Sequence, residues 1–255
     1  MTTLQSKTAL VTGASRGIGR ATALALAETG ARVLVHYGRS AQQAESLVAA
    51  IQTKGGRADA ISADLGVPNG ATLLAEQVRS IVGDRLDVLV LNAGISRAAR
   101  MADYTVEDFD NLFATNVRSP FFLVQQLLPV FGEGSNIVVI SSAVARTVVG
   151  HPGLENPSIL AYASTKGALG TLVNNWAAIL GPRGIRVNAV APGVIDTDMS
   201  NFTKTEAGRE VTLGMQALKR IGKPEDIADV VAFVASDGAR WVTGASIPVD
   251  GGSKL

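Results

Sequence analysis

The 255-residue sequence contains no cysteine. Disulfides, thiolate metal sites and a cysteine nucleophile are therefore excluded together, and no metal site is expected. Neither sign of charge is in excess. Twenty-three lysines and arginines stand against 22 aspartates and glutamates, so no bulk field recruits nucleic acid or an anionic membrane. No apolar run approaches the ~20 residues of a membrane-spanning helix. The first seven residues are polar and lead directly into a β-branched run, leaving no place for the apolar region of a signal peptide. A cytoplasmic protein without membrane or nucleic-acid partners is expected.

What is present is alternation. Short β-branched runs at Thr8–Thr12, Arg32–His36, Ala58–Ser62, Leu86–Leu91, Asn136–Ile140, Ile185–Val190 and Ala245–Val249 are separated by helical patterns. Ala44, Leu47, Val48 and Ile51 follow an i, i+3, i+4, i+7 spacing. Ile227, Val230, Val231 and Val234 repeat it, with Pro224 suited to the first turn of their helix. Strands alternating with helices imply right-handed crossovers and a parallel sheet covered on both faces. The fold class is α/β, doubly wound, with seven strands. No linker, repeat or composition shift divides residues 1–255, so one domain is expected.

Ligands of such sheets bind beyond the carboxyl ends of the strands. Gly13, Asn92, Ser142 and Pro192 each fall at such an end; as turn residues they are individually ordinary, but together they deliver four special positions to one edge. The first strand runs into Thr12-Gly13-Ala14-Ser15-Arg16-Gly17-Ile18-Gly19 and then a helical pattern. Glycines there permit a tight turn and close approach of a pyrophosphate to the unpaired N–H groups of a helix start. The spacing G-x-x-x-G-x-G differs from the usual G-x-G-x-x-G, and a turn needing positive φ would read the same way. After the second strand, where a carboxylate would bind the ribose hydroxyl of NAD, the sequence reads His36-Tyr37-Gly38-Arg39-Ser40. With no acid there, Arg39, helped by Arg16, is placed to meet a 2′-phosphate, which favours NADP(H) over NAD(H); solvated surface arginines are the alternative. His36 reads as a packing residue.

Tyr162 and Lys166 are four residues apart and share a helix face. An ammonium beside a phenol lowers its pKa and makes a tyrosine acid/base feasible at neutral pH. Ser142, at the end of a strand, can hydrogen-bond the reacting oxygen. Pro120 cannot donate to the carbonyl of Asn116, which leaves that carbonyl free to hold a water; a simple kink is the alternative. An isolated Tyr-x-x-x-Lys would be an ordinary solvated pair.

With these residues in this order, the sequence resembles the short-chain dehydrogenase/reductase family, of the single-domain Rossmann kind that includes the 3-oxoacyl-carrier-protein reductases. The resemblance runs from Lys7 to Gly252 and rests on the 12–19 turn, Asp64-Leu65, Asn92-Ala93-Gly94, Asn116, Ser142, Tyr162, Lys166 and Pro192-Gly193. It implies that Tyr162 exchanges a proton with the carbonyl oxygen while nicotinamide C4 carries the hydride. It implies that Lys166 holds the nicotinamide ribose, Ser142 orients the substrate and the Asn116 carbonyl anchors a water. Asp64 and Leu65 would flank adenine, Asn92, Ala93 and Gly94 would line the groove, and Pro192 to Thr197 would wrap the nicotinamide, with Ile195 meeting its carboxamide. A homotetramer or homodimer is implied, pairing through the Thr105–Val130 and Ala161–Leu180 helices, with Trp241–Leu255 completing a tetramer.

The sequence departs from the carrier-protein reductases between Ser142 and Tyr162, which are twenty positions apart rather than about a dozen. The intervening segment, with His151, Pro152, Gly153, Glu155 and Pro157, is expected over the substrate mouth, though an inconsequential surface insertion would read identically. An acidic carrier protein calls for a basic patch. Leu123–Ser135 has no lysine or arginine and one glutamate, leaving Arg183 as the candidate contact. A free ketone, keto-sugar or keto-acid derivative is therefore preferred over a β-ketoacyl thioester. Asp198–Gly214 reads as a lid, with Met199, Phe202, Leu213 and Met215 as lining or core. A non-catalytic dinucleotide-binding redox sensor would not need Ser142, Tyr162 and Lys166 together.

Overall fold

The computed structural model describes residues 3–148, 154 and 156–253. Seven strands form one sheet: β1 (Thr8–Val11), β2 (Arg32–Tyr37), β3 (Arg57–Ser62), β4 (Val88–Leu91), β5 (Asn136–Ile140), β6 (Arg186–Pro192) and β7 (Ser246–Val249). Their spatial order is β3-β2-β1-β4-β5-β6-β7, and every neighbouring pair is parallel. The helices are α1 (Gly17–Glu28), α2 (Ala41–Thr53), α3 (Gly70–Val82), α4 (Val106–Phe113), α5 (Ser119–Leu127), α6 (Leu160–Leu180), α7 (Glu206–Met215) and α8 (Pro224–Ala235). Each expected strand is present, displaced at its ends by at most two residues.

The central strands are apolar throughout because both faces are covered. Leu10, Leu89, Leu91, Ile137 and Val139 face a core shared with Leu74 and Val78 of α3, Leu123 and Leu127 of α5, and Leu169 and Val173 of α6. The intervening Ala9, Val11, Val88, Val90 and Val138 face the opposite core, with Leu26 of α1, Leu47 and Ile51 of α2, and Ile227 and Val231 of α8. A period of two with apolar residues on both phases yields the continuous runs seen in the sequence.

The chain leaves β1 for β2 and β3 on one side and returns to place β4 on the other. The carboxyl ends of β1 and β4 therefore border the crevice where the winding reverses, the position at which such sheets bind ligands. That crevice carries the sequence motifs.

The expected single helix from Thr105 to Val130 is divided. A capping box at Thr105 and Asp108 starts α4. Ala114–Arg118 then forms a π turn in which the Ser119 N–H reaches back five residues to the Ala114 carbonyl. Pro120, with no N–H to offer the Asn116 carbonyl, accounts for the widened turn at this place. The Asp198–Gly214 stretch is likewise two pieces, a 3-10 segment at Asp198–Lys204 followed by α7, whose first turn is capped by Thr205. Of the loop ahead of α6, His151, Pro152, Gly153 and Glu155 lie outside the described residues. Among the described residues no helix is long and apolar enough to cross a membrane, and no three or more His, Asp or Glu side chains are grouped to hold a metal ion.

Candidate active site

The glycine turn is built by conformation first. Gly13 and Gly17 have φ of +63° and +54°, where a side chain is strained. Gly19 answers a different demand: a Cβ there would lie 2.4 Å from the Gly13 carbonyl and 2.5 Å from the Asn92 amide. Arg16 stands at the N-cap of α1 without a side-chain cap, so the first N–H groups of α1 keep no side-chain partner. Ser15 is buried beside it, while Ile18 packs at the edge of the core below.

Asn92 and Thr12 lock β4 to this turn. The Asn92 side-chain amide donates to the Thr12 and Gly13 carbonyls at 2.8 and 3.1 Å. The Thr12 hydroxyl donates to the Val90 carbonyl at 3.2 Å and accepts the Asn92 and Ala93 N–H groups at 2.9 and 3.0 Å. Sequence reading gave Thr12 no role, because a hydroxyl serving three partners 78 to 81 positions away is visible only in three dimensions. Asn116 works the same way further along: its side chain accepts from the Ile95 N–H and donates to the Ile95 carbonyl, both at 2.9 Å, and donates to the Thr165 hydroxyl at 3.1 Å. That side chain ties the strand-end segment after Gly94 to α6.

Lys166 and Tyr162 project from α6, Lys166 almost fully buried and Tyr162 half-buried. Ser142, just beyond β5, stands beside the Tyr162 phenol and accepts the Val144 N–H at 3.3 Å. Burial pushes the Tyr162 phenol up to about 12, against the lowering effect of Ser142. Burial pushes Lys166 down to about 8. In this arrangement Lys166 does not offset the upward push on the phenol. Its ammonium lies 5.5 Å from the Tyr162 ring centroid and donates to the Ile140 carbonyl at 2.8 Å, so desolvation dominates. A Cβ on Gly94 would stand 3.8 Å from Lys166 Nζ and 3.3 Å from Asn116 Oδ1, so glycine keeps a groove open between them.

At the far end of the crevice Arg39 is 91% exposed and lies 3.6 Å from Asp64, whose other oxygen accepts the Gly66 N–H at 2.9 Å. Gly38 leads into Arg39, and Ser40 sits at the N-cap of α2 without a side-chain bond to it. The Leu65 side chain is buried in the core, so any adenine contact from it is through the backbone. Arg16 lies 3.4 Å from Asp198, linking the glycine turn to the Asp198–Lys204 segment expected as a lid. On the lid side, Pro192 closes β6 and Gly193 hydrogen-bonds the Val249 carbonyl at 3.1 Å; a Cβ there would lie 2.7 Å from the Asp250 Cα. Ile195 is buried and bridges Gly222, while a methyl of Thr197 packs beside Gly17. Met199 and Phe202 are about half exposed, so they do not belong to the core. His36, read as packing, is buried and also makes hydrogen bonds at both ring nitrogens. Arg183 is exposed and donates from one nitrogen, Nη2, to the Leu128 and Phe131 carbonyls at 3.1 and 2.8 Å.

A family model described as enoyl-(acyl carrier protein) reductase matches residues 13–254. Versicolorin reductase 1 of Aspergillus parasiticus is 42% identical over 98% of this chain and 97% of its own length. The 3-oxoacyl-[acyl-carrier-protein] reductase FabG of Staphylococcus aureus is 40% identical, covering 97% and 98%. Among solved structures, the angucycline C-6 ketoreductase LanV with bound NADP superposes with a TM-score of 0.91 at 40% identity, covering all of this chain and 98% of LanV. The chain belongs to the short-chain dehydrogenase/reductase family and is a nicotinamide-dependent reductase of small carbonyl compounds.

Proposed function

We propose that the protein reduces a free, weakly charged ketone to a secondary alcohol with NADPH, using Tyr162 as proton donor. The observation that carries this reading is the grouping of the Ser142 hydroxyl, the Tyr162 phenol and buried Lys166 beyond the strand ends, at the crevice that holds the glycine turn. The residues fit a dinucleotide: positive-φ glycines and the uncapped start of α1 suit a pyrophosphate, and the space held by Gly94 suits a ribose beside Lys166. When bound, NADPH supplies the hydride. The protein's own part is to hold the carbonyl oxygen between the Ser142 and Tyr162 hydroxyls and to deliver the phenolic proton as charge develops on that oxygen. A phenol held near 12 stays protonated until then. Lys166, released from the Ile140 carbonyl, would stabilise the resulting phenolate and hold the ribose, and the Asn116 carbonyl beside the π turn would anchor the water that returns the proton.

NADPH preference is supported by Arg39 and Arg16, by the lack of an acid at residues 36–40, and by NADP bound in LanV. The apolar, exposed Ile95, Met199 and Phe202 support an apolar ketone over a carrier-protein thioester. Relatives named for versicolorin and angucycline C-6 reduction favour the same reading. The β-ketoacyl thioester reading is kept because FabG is almost equally similar. Absorbance at 340 nm, with NADPH or NADH against ring ketones, keto-sugars and β-ketoacyl thioesters, separates them. Turnover of ring ketones with NADPH is expected; turnover confined to thioesters would install the second reading, and tight NADPH binding without turnover would point to a redox sensor. Arg39→Asp combined with Arg16→Ala should reduce the NADPH/NADH preference by about tenfold or more, and unchanged selectivity would place the phosphate reader elsewhere.

A further inference from the structure

The imidazole of His36, at the end of β2, spans the gap between the glycine turn and the end of β3. The Gly13 N–H donates to Nδ1 at 3.0 Å, and Nε2 lies 3.0 Å from the Ala63 carbonyl. Because the first donor is a backbone N–H, Nδ1 must present a lone pair, so the proton resides on Nε2 and is donated to Ala63. The ring is 2% exposed, and burial pushes its pKa down to about 4, so it remains in this neutral form. The backbone completes the arrangement: the Ala14 N–H donates to the His36 carbonyl at 2.8 Å. Residue 36 thereby holds two successive amides of the turn, one with its side chain and one with its main chain. Its sequence neighbours Gly38 and Arg39, and the Asp64 that follows Ala63, lie on the other subsite of the same crevice.

We infer that His36 is a positioning residue for the dinucleotide. Its Nδ1 acceptor fixes the amide of Gly13, and with it the left-handed conformation of the glycine turn, while its Nε2–H fixes the Ala63–Asp64 strand end. The inference rests on the crevice being the NADPH site. No donor of the ring is left for the ligand, so His36 acts through the turn and not by contact with the cofactor. Two neighbouring substitutions resolve the two halves of this role. An asparagine amide ends at the position of Nδ1 and can accept from Gly13, whereas a glutamine amide extends to the position of Nε2 and reaches Ala63.

The test is the dissociation constant of NADPH and of NADH, measured by fluorescence titration on wild type, His36→Leu, His36→Asn and His36→Gln, with KM and kcat read separately. His36→Leu leaves the Gly13 N–H without an acceptor and is expected to weaken both cofactors by about tenfold, with KM for cofactor rising more than kcat falls. His36→Asn should recover most of the affinity and His36→Gln little of it. Equal affinity in all four proteins overturns the inference, as does recovery by glutamine and not asparagine. Loss confined to NADPH also overturns it, since the turn serves both cofactors. If His36→Leu does not fold, the asparagine–glutamine contrast decides alone. Absence of cofactor binding by wild type would instead remove the crevice reading itself.

Discussion

Tyr162 and Lys166 make the most exacting residue-scale test, since their environments push them in opposite directions. Tyr162→Phe removes the proton donor and nothing of the glycine turn. Turnover should fall by at least ~10²-fold with NADPH affinity within a few-fold of wild type, measured by steady-state kinetics and cofactor titration. Surviving turnover would remove Tyr162 as the acid. The pH dependence is set by the other partner. With the phenol near 12 and Lys166 near 8, the donor stays protonated while the ammonium is lost as pH rises through about 8. Lys166 is thus charged and effective on the acid side and neutral on the basic side, so kcat/KM for ketone reduction should fall above about pH 8. Lys166→Arg stays charged at any accessible pH and should erase that break at a lower overall rate; a break that persists belongs to another group. The Tyr-Lys pair was legible because i, i+4 spacing on a helix is a sequence property. Its electrostatics were not, because the Ile140 carbonyl that holds the ammonium comes from a strand 26 positions away.

The elements around the site differ in how far sequence could foretell them. Strands buried on both faces announce themselves as unbroken apolar runs, and their parallel pairing followed from the alternation with helices, whereas their spatial order did not. The π turn did not, since a proline within a helical pattern reads equally as a kink, and only the Ser119-to-Ala114 hydrogen bond distinguishes the widened turn. The join between the segment after β4 and the start of α6 was also invisible. Ala99 and Ser158 exchange main-chain hydrogen bonds at 3.0 and 2.8 Å, and the Tyr104 hydroxyl proton is shared between the Arg97 and Ser158 carbonyls at 2.8 and 2.9 Å. Ser158 lies four residues before Tyr162, so this clasp stands just ahead of α6. Tyr104→Phe should raise KM for the ketone several-fold, at a stability cost of about 1 kcal/mol, with the NADPH dissociation constant unchanged. An equal rise in the cofactor constant would place the effect in the crevice and not at the substrate side.

At the scale of the whole molecule, a further apolar surface lies on α4, α5 and α6, apart from Ile95, Met199 and Phe202. Phe109, Phe121 and Phe122 are between 41% and 45% exposed, and Phe121 and Phe122 line a groove with Phe113, Val117 and Leu172, flanked by Asp110 and Arg118. Phe109 stacks on Phe113 at 4.4 Å, and Phe121 meets both Phe122 and Trp176, so the aromatic surface is held rigid and not collapsed into the core. The subunit pairing expected from the family has a candidate surface here, since a two-fold axis would let one helical face cover its copy. Trp241, 97% exposed ahead of β7, is a separate apolar projection on which a second contact could be built. The same helices carry Asn116, Tyr162 and Lys166, so pairing through them would stiffen the catalytic side chains from behind. Phe121→Glu with Phe122→Glu buries charge in such an interface and should convert the protein to monomers, with turnover lost on dilution, by light scattering and activity at matched concentrations. Trp241→Ala should stop assembly at dimers if that projection forms the second contact. A protein that stays tetrameric with both phenylalanines replaced assembles through other surfaces, and one that is monomeric from the start leaves the aromatic face for a different partner.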